Sequence, residues 1–183
     1  AVYMQMSQPC LSYTFYKLYK KKKLASFMFN SAKSKGLIGY KLRTEIYNFL
    51  QSNNENKIDV FKASKNNFIT KDKFLCDYMF TIICFNSNTN FNMFDTLIDS
   101  FVCRTIPIYY GIDTEHLNLF FYEKGVLHFN SLNELIFILE NYLNKDYYEQ
   151  NFKYVEKNFI KVKEYYNWDD SLIKTVKKNL YIK

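Results

Sequence analysis

Short apolar runs of strand length, each followed by a helical pattern, constrain this chain more than any other feature. Residues 24–29 read LASFMF, 58–61 IDVF, 79–84 MFTIIC, 105–109 TIPIY and 126–129 VLHF. Between the first two, Leu42, Ile46, Phe49 and Leu50 recur at helical spacing, which predicts an amphipathic helix over residues 40–51. Residues 71–77 read as one or two helical turns. Phe94, Leu97, Ile98 and Phe101 predict another helix, with Asn92 as its N-cap. Strands of this length separated by helices indicate βαβ units, hence an α/β fold: a Rossmann-like parallel sheet flanked by helices. Beyond the last strand the pattern turns helical, over 131–142, 145–166 and 169–180. The middle one of these carries Tyr148, Phe152, Val155, Phe159, Val162 and Tyr166 along one face.

With 183 residues, 48% of them hydrophobic and 20% aromatic, the chain can bury one full core and is not a disordered polymer. Its net charge of +7 suits a phosphate-bearing partner. The basic residues are dispersed and the aromatics follow core periodicity, so a nucleic-acid partner is not expected. The densest basic cluster, Lys20–Lys23, reads as a solvated linker ahead of the first strand. Cys10, Cys76, Cys84 and Cys103 include no C-x-x-C pair, and three lie in apolar runs; they read as buried free thiols of a reducing compartment. His116 and His128 are isolated, so no metal site is expected. No stretch reaches the roughly 18–20 apolar residues that span a bilayer. A cytoplasmic or peripheral-membrane location follows as the expectation. The chain opens on Ala1 rather than Met, as a fragment of a longer protein would.

In open parallel sheets, ligands bind beyond the carboxyl ends of the strands. Chemistry is therefore sought in residues 30–39, 86–92 and 109–113. The run Phe101–Gly111, FVCRTIPIYYG, holds one of the two prolines and one of the four glycines. Proline removes a ladder donor, so Pro107 is expected at the start or edge of its strand. Gly111 is expected to let the backbone turn sharply at the carboxyl end.

Residues 78–111 resemble, without a gap, the donor-binding segment of the alpha-1,3-fucosyltransferase family. That family has a strand ending in Phe-Glu-Asn, then a polar loop with Tyr-x-Thr-Glu-Lys, then a helix and Thr-Ile-Pro-Ile-Tyr-Trp-Gly. Here the helix carries Leu97-Ile98-Asp99, and the last element reads Thr105-Ile106-Pro107-Ile108-Tyr109-Tyr110-Gly111. Upstream, Lys23-Leu24-Ala25-Ser26-Phe27 and Arg43 are similar to the family's first strand and its helix-borne arginine. Residues 120–142 look like its later strand and helix. The resemblance covers roughly residues 20–145.

The resemblance implies the carboxyl-terminal half of a GT-B glycosyltransferase, with residues 1–19 a remnant or linker and 20–183 the nucleotide-sugar-binding domain plus a helical extension. It implies transfer of fucose or a related sugar, with inversion and without a metal or other cofactor, from a GDP-fucose-like nucleotide sugar to a glycan or other hydroxyl acceptor. The general base would belong to the other half. The implied donor-site positions are Arg43, Asn86, Asp95, Ser26, Asn92, Thr96 and Tyr109. Arg43 would grip phosphate oxygens through its planar guanidinium. Phe85 stands at the family's glutamate of Phe-Glu-Asn, Asp95 at a donor-contacting glutamate, Thr96 at a phosphate-binding lysine and Asn92 at its tyrosine. Lys33, Lys35 and Lys41 are candidates to replace the lost charge. These departures keep a second reading open, a degenerate sugar-nucleotide-binding or scaffolding module without turnover.

Overall fold

The computed structural model describes residues 5–6, 18–30, 38–53, 57–64, 67, 69–85, 92–93 and 95–164. In chain order the elements are β1 (Gln5–Met6), β2 (Lys23–Asn30), α1 (Ile38–Ser52), β3 (Ile58–Ala63), α2 (Lys71–Leu75), β4 (Tyr78–Cys84), β5 (Asn92–Met93), α3 (Asp95–Val102), β6 (Ile106–Tyr110), α4 (Thr114–Asn118), β7 (Leu127–His128), α5 (Leu132–Asn141) and α6 (Lys145–Glu164), with a 3-10 turn at Glu123–Gly125 before β7. Five strands form one parallel sheet in the order β3-β2-β4-β6-β7. β1 and β5 make a separate two-residue parallel pair, Gln5 opposite Asn92.

The sheet is covered on both faces. Leu42, Ile46 and Leu50 of α1 and Leu135 and Ile138 of α5 pack with Phe27, Phe80, Ile82 and Ile108 on one side. On the other, Phe74 and Leu75 of α2 and Leu97, Ile98 and Phe101 of α3 pack with Ile83 and Tyr109. Two-sided cover explains why the central strands read as apolar runs rather than alternations. Every residue of β6 is buried, whereas most of edge strand β3 is only half-buried.

Pro107 sits second in an internal strand, not at an edge. The Tyr109 carbonyl accepts from Phe129 N–H at 3.0 Å on the β7 side. Two residues earlier the Pro107 nitrogen faces the same way, ahead of Leu127, where β7 first pairs with β6. No ladder bond is lost, because the neighbouring strand has not begun there.

The end of α3 carries no glycine. Arg104 N–H donates to the Phe101 carbonyl at 3.0 Å and Thr105 N–H to the Ser100 carbonyl at 2.8 Å. This is a Schellman closure, with Arg104 in the left-handed position at φ 57°. The strain of a non-glycine residue there is met by three anchors. Arg104 Nε pairs with Glu156 at 2.5 Å, its guanidinium stacks 3.6 Å from the Phe159 ring centre, and its carbonyl accepts from Tyr148 Oη at 2.8 Å. All three partners belong to α6. That helix passes from the α5 side, with Tyr148 and Val155, to the α3 side, with Phe159 and Val162, around the amino ends of the strands.

Several expectations are corrected. Asn92 does not cap α3: its backbone is extended and paired with Gln5, and the helix starts at Asp95. The Lys20–Lys23 cluster is not a plain solvated linker. Lys23 opens β2 and bonds Asp59 at 2.6 Å, and the Lys21 amine is turned inward. The first helix starts earlier than its apolar spacing implies, at Ile38. Residues 165–183, including the expected helix 169–180 and Tyr166, lie outside the described residues. Among the described residues, no helix is long and apolar enough to cross a membrane.

Candidate functional site

From the middle of the sheet the chain winds outward in both directions. The connection after β2 leads through α1 to β3, and the one after β4 leads through α3 to β6. The order therefore reverses between β2 and β4, and open parallel sheets bind ligands beyond the strand ends at such a switch point.

In the structure Arg43 lies on the inner face of α1, buried beside Leu42 and Ile46. Its guanidinium reaches across to the tip of β4, where Nη2 donates to the Cys84 carbonyl. The Tyr40 ring lies 5.0 Å from the guanidinium carbon and covers it on one side. The Cys84 thiol donates to the Gly39 carbonyl at 3.3 Å, so the first turn of α1 is tied to the same strand end. Burial pushes the Cys84 thiol up to about 12 despite the nearby arginine, so this sulfur stays a neutral, unreactive packing group. The first turn of α1 holds no acid. Its amino-terminal dipole and the arginine together make this end of the sheet attractive to an anion.

The tip of β6 lies next to it. Phe85 N–H donates to the Tyr110 carbonyl at 2.8 Å, which keeps the two strand ends level. Tyr109 is fully buried and curls beneath its own turn, where its Oη accepts from Ile112 N–H at 3.2 Å. Burial raises this phenol to about 12. Gly111 is needed here for space: a Cβ would stand 2.2 Å from Tyr109 Oη, and the backbone has no left-handed φ. Tyr109 thus shapes the turn from below and stays within the core.

Asp95 and Thr96 lie in the first turn of α3. Asp95 Oδ2 pairs with Lys71 Nζ at 2.5 Å, and the same amine pairs with the fully buried Asp99 at 2.7 Å. Burial works against charge on Lys71, but the two carboxylates outweigh it and the net direction is upward. Thr96 N–H and Oγ1 both lie against Asp95 Oδ1, at 2.8 and 3.4 Å. Ser26 sits mid-strand and fully buried. Its hydroxyl donates to the Phe74 carbonyl at 2.5 Å and contacts Thr81 Oγ1 at 3.0 Å, so it serves the join between β2, β4 and α2. Asn92 is placed by its backbone alone. Asn86, Lys33 and Lys35 lie outside the described residues, and Lys41 is exposed on α1, 3.9 Å from Glu45.

The structure thus brings Arg43, the tip of β4 and the β6 turn together, and it sets Ser26 apart from them. Sequence reasoning missed Lys71; the only signal for it was the i, i+4 spacing of Asp95 and Asp99, which puts two acids on one helix face. It also missed Asp113 and His128. Asp113 caps α4 and accepts from His116 N–H at 2.8 Å, which with the His116 ring holds its carboxyl below the usual range. His128 Nε2 lies 3.0 Å from the Ile112 carbonyl and braces the β6 turn from β7. Among the described residues, no group of three or more His, Cys, Asp or Glu side chains is arranged to hold a metal.

The sequence matches no protein-family model and no curated protein. The fold is similar to solved structures of two transferase complexes. One, an alpha1,3-fucosyltransferase with GDP, superposes with a TM-score of 0.55 at 20% identity, covering 78% of this chain and 45% of that one. The other, an alpha1,3-fucosyltransferase with GDP-fucose, gives 0.54 at 22% identity, covering 78% and 47%. The chain spans less than half the length of these transferases, and at this identity the likeness is one of fold.

Proposed function

We propose that this chain is the donor-binding half of a two-domain, GT-B-type sugar transferase, and that the switch point at the carboxyl ends of β2 and β4 seats a nucleoside diphosphate sugar such as GDP-fucose. The observation that carries the reading is Arg43, a buried cation held against the carboxyl end of β4 at the switch point of a fucosyltransferase-like fold. A diphosphate leaving group accumulates negative charge as the sugar departs. Without a metal, that charge is met by guanidinium, ammonium and backbone N–H groups already in place. Arg43 supplies the planar two-point contact, and the amino-terminal turn of α1 supplies the dipole. The acceptor hydroxyl and the general base that deprotonates it belong to the other half, so transfer with inversion requires both.

Calorimetric titration of the chain with GDP and GDP-fucose tests this. The expected result is saturable binding that Arg43→Met weakens by roughly 10-fold or more, since a charge-assisted hydrogen bond contributes about 1.5–3 kcal/mol. Arg43→Lys, which keeps the charge, is expected to fall between. A folded protein that gives no heat at millimolar GDP refutes the proposal.

One observation favours the non-catalytic alternative. Thr96 stands where the family has a phosphate-binding lysine, and the adjacent Asp95 is already paired with Lys71. Nucleotide binding without turnover by the two-domain protein, over a panel of donors, would favour that reading; turnover would end it.

A further inference from the structure

A thiol pair lies at the opposite rim, beneath the amino ends of β4 and β6. Cys76 follows α2 and Cys103 follows α3, so each thiol stands at the carboxyl end of a short helix. Their backbones are held in place: Cys76 N–H donates to the Asp72 carbonyl at 3.1 Å and Cys103 N–H to the Asp99 carbonyl at 3.0 Å. The two Sγ atoms are 3.5 Å apart. Both cysteines are free.

The Lys21 amine is the polar hub of this cluster. It donates to the carbonyls of Cys76 at 2.9 Å and Cys103 at 2.7 Å, and to Thr105 Oγ1 at 2.8 Å. Access differs between the two sulfurs. Cys76 lines an open cavity of about 660 Å³ together with Lys23, Lys73, Asp72, Asp77 and Tyr78; Cys103 does not line it. Both thiols are buried, Cys76 at 5% exposure on the cavity side and Cys103 at 1% behind it.

We propose that Cys76 and Cys103 are a redox-active dithiol, in which Cys76 is attacked first by a hydroperoxide and Cys103 then resolves it to an intramolecular disulfide. In the first step the Cys76 thiolate displaces water from hydrogen peroxide, with uptake of a proton, and becomes a sulfenic acid. In the second, the Cys103 sulfur attacks that sulfenic sulfur; the S–O bond breaks, and a second water leaves with the Cys103 proton. Two thiols lose two electrons in all, and one O–O bond is reduced to two waters. The sulfurs need to approach by about 1.5 Å to reach bonding distance.

The electrostatics agree with this order. The Cys103 contact, helped by a Tyr19 hydrogen bond and the Lys21 charge and opposed by burial and Asp72, lowers the Cys76 thiol, whereas the same contact and burial raise Cys103. Burial lowers Lys21 to about 8, so its amine can hold or release a proton near neutral pH. The bond would close the loop from residue 76 to 103, which contains all of β4 and α3.

The test uses the reduced full chain. It is treated with one equivalent of hydrogen peroxide, denatured, alkylated at the remaining thiols and mapped by peptide mass spectrometry. The expected product has lost two hydrogens and carries a Cys76–Cys103 cross-link that dithiothreitol reverses, while Cys10 and Cys84 are alkylated. Its Tm is expected to rise by roughly 5–10 °C over the reduced form. In Cys103→Ser, Cys76 is expected to stop at a sulfenic acid that dimedone traps; if this variant does not fold, the wild-type map decides alone. Cys76 driven to sulfinic acid with Cys103 still alkylated, a cross-link between other cysteines, or no thiol consumed in the folded protein would each overturn the proposal.

Discussion

Replacing Gly111 by alanine puts a methyl group where the Tyr109 phenol already stands. The added carbon would lie 2.2 Å from Tyr109 Oη, 2.5 Å from Cζ and 3.1 Å from Cε1. An ordinary contact between such atoms is near 3.5–4 Å, so the ring must retreat by about 1 Å or more. It has little room, because Tyr109 is fully buried among Ile83, Leu97 and Ile112 and its hydroxyl accepts from Ile112 N–H. Overpacking of this kind costs about 1–3 kcal/mol, and losing the buried hydrogen bond adds about 1 kcal/mol. We expect Gly111→Ala to lower stability by about 3 kcal/mol, a Tm drop of roughly 6–12 °C for a chain of this size. Urea denaturation followed by circular dichroism reads the loss. A double-mutant cycle with Tyr109→Leu identifies its cause, since with the ring gone the alanine should cost under ~1 kcal/mol. If Gly111→Ala matches wild type within about 0.5 kcal/mol, or costs the same in both backgrounds, the turn is not built around the phenol and the steric reasoning fails.

Two further outcomes are expected. Lys71→Met leaves Asp99 buried without its cation and should destabilise the fold by about 3 kcal/mol in thermal melts, and pairing it with Asp99→Leu should recover much of that loss. Alkali should act in two stages. Lys21, lowered to about 8 by burial, binds its proton more weakly folded than unfolded, so stability rises above pH 8 until the Cys84 thiol, raised from 9.0 to about 12 by burial, turns the trend downward. Tyr78 and Tyr109, raised to about 12 mainly by burial, keep their protons longer when folded, so above the ordinary phenol value near 10 stability falls. Denaturant midpoints taken across this range should show the turnover, with a shallower alkaline limb in Tyr109→Phe.

Local spacing was a good guide where burial has a period. β4 and β6 are covered on both faces and so read as unbroken apolar runs, and the stripe Leu42, Ile46, Leu50 marks the inner face of α1. At the candidate site, the placement of Arg43 near the strand tips followed from the resemblance alone. Thr44, one residue on and rotated by about 100°, is exposed, whereas Leu42 and Ile46 are buried beside Arg43. The end of α3 was harder to see because Arg104, not glycine, takes the left-handed position, and its anchors are some 44 to 55 residues away on α6.

By itself, the sequence determined which segments are strands, which are helices and which faces are apolar, because these depend on neighbours a few residues apart. Only the tertiary structure decided the fate of individual charges and thiols. Four successive lysines look alike on paper, yet Lys21 lies inside against Cys76 and Cys103 while Lys23 pairs with Asp59 at the surface. Lys71 meets Asp95 and Asp99 across 24 and 28 residues, and two cysteines 27 residues apart touch. The reason is physical: burial of apolar area is non-directional and leaves a periodic trace along the chain, whereas an ion pair or thiol contact depends on two side chains whose meeting only the packed sheet specifies.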